Sequence, residues 1–244
     1  MKKISLILCA AVAALSFSGC ASAKIEKESI SPLAIVTVTG NSSIPWYVLT
    51  KDGEEPSANK GLLQNAINSK FYDDDPEIAS AYNRLDYAED AVRRIFEDVA
   101  EIEFVDRETV LESKKYKSMN SGILSALNTT ITATGYKDLR TPDRYELKKL
   151  CEDVGAKGCL VLDFEFFKKS TKGNSISGEV VPYVKMRVKM YDTNGKEIKY
   201  KNYKVEGSQS LKISGRKYDT EAFVAMYPEV IDQLLTQAAM EFIY

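Results

Sequence analysis

The chain has 244 residues, with 33 Lys and Arg against 35 Asp and Glu for a formal net charge of −2, four cysteines and no histidine. That length suits one ordinary domain with a real hydrophobic core, and the charge balance lacks the basic surplus that nucleic acid selects. Without imidazole there is no Ser-His or Cys-His nucleophile pair, no HExxH zinc site and no switch titrating near neutral pH.

Met1-Lys2-Lys3 precedes an uncharged run from Ile4 to Phe17. Two lysines, about 14 apolar residues and a small-residue exit read as a secretory signal, since a bilayer-spanning helix needs about 20. Phe17-Ser18-Gly19-Cys20 resembles the lipobox of bacterial lipoproteins, in which the signal is cut before the cysteine and a diacylglycerol is joined to its sulfur. That family usually has Leu or another aliphatic residue where Phe17 stands. A plain signal cut after Ala21 or Ala23 is the alternative. The resemblance implies a signal over residues 1–19, lipidation at Cys20 and a tether over residues 20–32 that ties the chain to a lipid bilayer. Without Lys2 and Lys3 the 33 basic residues fall to 31 against 35 acidic, a net −4. Ala21 and Ser22 follow Cys20 where an Asp would resemble an inner-membrane retention signal. The expected location is therefore the outer membrane, facing the periplasm.

A single domain is expected over residues 33–244. Leu33-Ala-Ile-Val-Thr-Val-Thr39 is apolar and β-branched, the pattern of a buried strand. Trp46, the one tryptophan, reads as a packing residue under a loop. Asp75-Pro76 opens a long helix whose Ile78, Ala81, Tyr82, Leu85, Ala88, Val92, Ile95, Phe96 and Val99 form an apolar face, with charges on the other. Asp73, Asp74, Asp75 and Glu77 lack the spacing and glycine of a calcium loop and read as an acidic helix start. Glu103 to Asp106 is expected to form a short strand. Arg107 to Tyr116 resumes a helical pattern, and Ser118 to Gly135 reads as a loop or inserted hairpin.

Thr141-Pro142 is expected to cap a helix with Leu147, Leu150, Cys151 and Val154 on one face and Gly155 as the stop. A strand from Gly158 to Phe167 follows, with Asp163 and Glu165 on one face. Cys151 and Cys159 flank Val154-Gly-Ala-Lys-Gly158 and read as two buried thiols joining helix to sheet, with a disulfide as the alternative. From Pro182 to Gly207 the pattern is a hairpin: Val184, Met186, Val188 and Met190 alternate with Lys185, Arg187 and Lys189 before Thr193-Asn194-Gly195. A two-residue Asn-Gly loop sets Met190 opposite Lys199 and mixes the two surfaces. A three-residue loop with Gly195 in the left-handed conformation sets Met190 opposite Ile198 and Val188 opposite Tyr200, which keeps the apolar face whole. The second register is the expected one. It places Lys185, Arg187, Lys189, Lys199 and Lys201 on a single basic face, a candidate docking surface for an acidic partner. Tyr227-Pro228 starts a final helix with Ile231, Leu234, Leu235, Ala238 and Phe242 as its buried stripe. The order β-α-β-α-β-β-β-α implies an α/β (α+β) domain, a single mixed sheet with packed helices.

The lipid cysteine and tether, the first strand Ile35-Val-Thr-Val38 and the long helix are followed by Phe104-Val-Asp-Arg107, Val154-Gly-Ala-Lys-Gly158, Cys159-Leu-Val-Leu162 and a hairpin through Val188-Lys-Met-Tyr-Asp-Thr-Asn-Gly-Lys196. With the terminal helix, they together resemble a fold group of bacterial envelope lipoproteins. That group holds the outer-membrane activator of penicillin-binding proteins, the curli secretion-channel protein and the amino-terminal domain of the Tol-system translocation protein. The resemblance implies a non-catalytic domain that docks a periplasmic protein such as a cell-wall synthase, with no cofactor, no metal and no nucleic acid. A channel subunit of the curli type is the alternative. Its candidate membrane hairpins are Ser118 to Tyr136, with Leu127, Thr129, Ile131 and Ala133 on one face, and Lys169 to Val181. The former is too short and polar for two barrel strands of about ten residues each. An enzyme working through Asp163, Glu165 and nearby lysines is the third reading, for which no further catalytic group stands out in the sequence.

Overall fold

The computed structural model describes residues 27–49, 55–56, 76–121, 130–173 and 175–243. The signal, Cys20, Asp73 to Asp75, Leu127, Thr129 and the side chain of Phe242 lie outside the described residues. A single mixed sheet carries the fold, in the order β2-β1-β3-β4-β5, with β6 beside β4 beyond the end of β5. The strands are β1 (Leu33–Asn41), β2 (Thr130–Thr132), β3 (Gly158–Gly173), β4 (Ser177–Asp192), β5 (Glu197–Glu206) and β6 (Leu211–Ser214). β1 runs parallel to β3, and every other pairing is antiparallel.

All nine residues of β1 are buried, as a strand covered on both faces requires. β3 and β4 are 16 residues each and continue past Phe167 and before Pro182. Thus Lys169 to Val181, one of the candidate membrane hairpins, forms the far end of this sheet and there carries β6. Glu103 to Asp106 does not make the expected strand. Phe104 forms one parallel bridge to Leu33, and Asp106 turns away at once because its carboxylate accepts from Thr109 N at the start of the next helix.

On one face of the sheet lie α1 (Pro76–Ala79), α2 (Ala81–Ala100), α6 (Thr220–Val224) and α7 (Tyr227–Ile243). α2 and α7 pack on each other and over Phe164, Phe166, Met186 and Val188. On α7, Ile231, Leu234, Leu235 and Ala238 are buried as expected. The α1–α2 stretch departs from a simple two-sided helix: Tyr82 is exposed, whereas Glu77 on α1 and Arg84 and Glu89 on α2 are buried. Cover from the sheet and from the chain around Tyr136 and Tyr218 extends beyond the apolar stripe, so these charges need internal partners. Arg84 donates to Glu77 O at 2.7 Å and Ser80 Oγ at 2.6 Å and lies over the Phe166 ring. Burial lowers its pKa to about 10.

The opposite face is covered over β1 and β3 by α3 (Arg107–Glu112), α4 (Lys114–Ser118) and α5 (Arg144–Val154). The Tyr116 hydroxyl on α4 donates to Val36 O at 3.1 Å. α5 starts one residue after Asp143, whose carboxylate accepts from Tyr145 N and Glu146 N, so the cap is Asp143 and not Thr141. Gly155 ends it at φ +71°. Cys151 and Cys159 are both buried and free, their sulfurs 3.3 Å apart across the helix–sheet junction. The folded part also begins earlier than the tether boundary suggests: Ile30 is buried in the core, and Ser31 Oγ accepts from Glu103 N.

The β4–β5 hairpin corrects the expected register. The turn itself is the three-residue form, with Gly195 N donating to Asp192 O and Gly195 at φ +69°. Its neighbour pair is Tyr191 with Glu197, but the next is Met190 with Lys199. Ile198 is thus the extra residue of a bulge, which shifts all later pairs by one. Lys189 now faces Tyr200 and Arg187 faces Asn202. The repulsive Lys189–Lys199 and Arg187–Lys201 pairs of the expected register are avoided. The cost is two lysines on the helix-bearing face, where α7 takes them up: Lys199 Nζ donates to Glu241 O at 3.0 Å, and Lys201 lies 3.5 Å from the Glu241 carboxylate.

Candidate functional site

The five basic residues expected on one face are divided by that bulge. Lys185, Arg187 and Lys189 project from β4 on the face away from α7, whereas Lys199 and Lys201 project toward α7. Lys189 is further committed, its ammonium donating to Arg140 O at 3.1 Å. The β3 carboxylates instead complete the site. Asp163 lies opposite Arg187 and Glu165 opposite Lys185, and on β5 Asn202 lies opposite Arg187 and Lys204 opposite Lys185.

These strands form the floor of a hollow of about 450 Å³ on the part of this face that α3, α4 and α5 leave uncovered. Glu55 reaches it from a segment far away in the sequence. Its two carboxylate oxygens are held separately, one by Lys204 Nζ at 2.8 Å and the other by Lys185 Nζ at 3.1 Å. The Lys185 ammonium also donates to Pro56 O at 2.9 Å and lies 3.7 Å from Glu165. Hydrogen bonds from Lys204 and Lys185 lower the Glu55 pKa to about 2.

Asp163 differs from the other carboxylates in being buried, at 6% exposure. One oxygen accepts from Thr39 Oγ1 at 2.7 Å, the other from Arg187 at 3.3 Å. Burial raises its pKa from the ordinary carboxylate value, against the opposing pull of the Thr39 hydroxyl, Arg140 and Arg187. Behind Lys185, Tyr47, Phe167 and Tyr183 pack together, with the Lys185 ammonium 5.4 Å from the Phe167 ring centre. Tyr200, 48% exposed, lines the hollow.

The arrangement binds charge through opposed pairs. Each of Lys185, Arg187 and Lys204 already faces a carboxylate. Alternation along β4 pointed to Lys185 and Arg187. Lys204 and Asn202 were missed because a one-residue bulge decides which face of β5 they occupy. Glu55 has no sequence signal at all, since its partner Lys204 is 149 residues away.

No family model matches the chain, and no curated protein matches it. Among solved structures it is similar to the crystal structure of protein XCC0632 from Xanthomonas campestris, described by the family model DUF330. The identity is 16%, over 47% of this chain and 66% of that one, with a TM-score of 0.21. The chain thus spans slightly under two thirds of that protein's length, and a TM-score so low does not define a shared fold.

Proposed function

We propose that this chain is a lipoprotein anchored through Cys20 to the outer membrane, whose domain docks a periplasmic envelope protein, such as a cell-wall synthase, without catalysing a reaction. The observation that carries the reading is the hollow on the sheet around Lys185, Arg187 and Lys204, where among the described residues charges of both signs are set out in a fixed pattern beside exposed Tyr200. Patterned charge of this kind steers encounter and selects partners, and tyrosine and arginine are among the residues that dominate binding energy at interfaces. Asp163 and Glu165 each have a cationic partner on the facing strand, which suits recognition better than proton transfer.

Two experiments test the reading. Cys20→Ala should release the chain from the membrane fraction, and unchanged association would remove the anchor. A photo-crosslinker in place of Tyr200 should capture a specific envelope protein in intact cells, and Arg187→Glu should abolish that capture. Lys201→Glu, on the face toward α7, should leave it intact. Equal effects of the two reversals would refute the assignment of the docking face.

A further inference from the structure

Lys185 and Lys204 are direct cross-strand partners, an arrangement of like charges that destabilises a sheet unless an anion answers it. The Glu55 carboxylate answers it, giving one oxygen to each ammonium at 3.1 and 2.8 Å. The same Lys185 ammonium takes up the next backbone carbonyl, that of Pro56, at 2.9 Å. Two lysines thus read a short peptide feature, an acidic side chain followed by a backbone carbonyl acceptor. We propose that this dilysine clasp is a binding site for an acidic segment of a partner polypeptide, and that Glu55-Pro56 is its internal occupant, held there until the partner displaces it. The proposal rests on the docking reading above and adds to it the chemistry of the partner.

Three observations support exchange over a permanent structural pair. In the Lys204–Glu55 pair 62% and 41% of the side chains are exposed, and an ion pair this exposed is weak and easily replaced. Lys185 retains Glu165 at 3.7 Å as a second anion, so it is not left bare while the occupant changes. β5 ends the sheet order and bonds β4 alone among the described strands. An extended peptide laid along the outer edge of β5 would bring an acidic side chain toward Lys204 on that strand. Asp163 and Glu165 border the hollow and disfavour entry of a second negative charge next to the first. The preferred ligand is therefore an isolated Glu or Asp, not an acidic run.

Fluorescence anisotropy with the full-length chain in detergent micelles tests this. The probe is a fluorescein-labelled peptide, capped at both ends, with one Glu-Pro pair in a Gly-Ser background. Glu55→Gln should bind the probe about fivefold more tightly than the natural chain, because the internal competitor no longer holds the site. Adding Lys204→Gln to Glu55→Gln should abolish binding while relieving the lysine repulsion, so loss of binding cannot be put down to unfolding. The matching Gln-Pro peptide should not bind. Equal affinities for Glu55→Gln and the natural chain would overturn the proposal, as would binding that survives Lys204→Gln, equal binding of the Gln-Pro peptide, or displacement of the probe by phosphatidylglycerol vesicles at concentrations where free glutamate-proline peptide has no effect. Crosslinking from position 200 separates the two readings. Capture of an envelope protein without probe binding keeps the docking face and overturns the clasp, whereas probe binding without capture keeps the clasp and removes the envelope partner.

Discussion

Replacing Glu89 by alanine should be among the most damaging single changes in the domain. Glu89 sits on α2 with no exposed side-chain area, and one of its oxygens accepts from Arg93 Nε at 2.6 Å and from the Tyr136 hydroxyl at 2.7 Å. Arg107 lies 3.7 Å from the other oxygen, and Arg93 also donates to Val105 O at 2.8 Å. The carboxylate therefore ties α2 to the chain leaving it and to the stretch after β2. Two hydrogen bonds to a buried charge are worth about 1.5–3 kcal/mol each. Arg93 keeps its bond to Val105 O and 20% of its side chain in solvent, which returns part of that loss. The net destabilisation should be about 3 kcal/mol, the range for breaking a buried pair by removing one partner. For a domain of this size that is a fall in Tm of about 6–12 °C. Glu89→Gln keeps the oxygen that both donors use and should lose only about 1 kcal/mol. Urea unfolding of the full chain, followed by circular dichroism, measures both. A loss below about 1 kcal/mol for Glu89→Ala, the value of an exposed ion pair, would refute the reasoning. So would an alanine variant no worse than the glutamine one.

Two further outcomes follow from single positions. Gly195→Ala puts a side chain at φ +69° with its Cβ 2.1 Å from Arg144 O. The left-handed conformation alone costs roughly 1–2 kcal/mol, and the clash with α5 adds to it, so a thermal melt should show a clear loss; an unchanged melt would mean that the turn does not rest on α5. At Asp163, burial raises the folded pKa, so the native state holds the proton more tightly than the unfolded chain. That contribution is largest below the ordinary carboxylate pKa of about 3.9 and is lost as pH rises through it toward the raised folded value. Asp163→Asn, which keeps the Thr39 hydrogen bond, should gain stability relative to the natural chain as pH rises across that window, read as urea midpoints on either side. A relative loss over the same window would show that ionised Asp163 is net stabilising through Arg187.

Much of the sheet and helix framework was legible in local pattern, for reasons that act over a few residues. The unbroken β-branched run Leu33 to Thr39, the Gly155 stop and the alternation Val184 to Met190 each answer to backbone periodicity and glycine stereochemistry. The left-handed Gly195 was equally local. What was not legible is what depends on distant partners. Whether Glu77, Arg84 and Glu89 face water or the interior was decided by partners far along the chain: Lys168 and Tyr218 for Glu77, Ser42 O and the Phe166 ring for Arg84, and Tyr136 for Glu89. Phe104 looked like a strand but forms one bridge, because Asp106 is taken by the next helix cap.

The candidate site shows the same division. The sequence by itself determined the chemical types, the alternating cations on β4 and the Asp163–Glu165 pair on β3, since side chains two apart on a strand must share a face. It also carried the lipobox-like Cys20 and the absence of histidine, which narrow the chemistry without any fold. Only the tertiary structure decided which charges meet. One bulged residue, Ile198, sends Lys199 and Lys201 to α7 and leaves Lys204 with Lys185, because a register shift of one exchanges the faces of every residue beyond it. The Glu55 carboxylate then reaches those two lysines from far along the chain. Local pattern cannot encode that meeting, since it depends on how the whole sheet brings remote segments together.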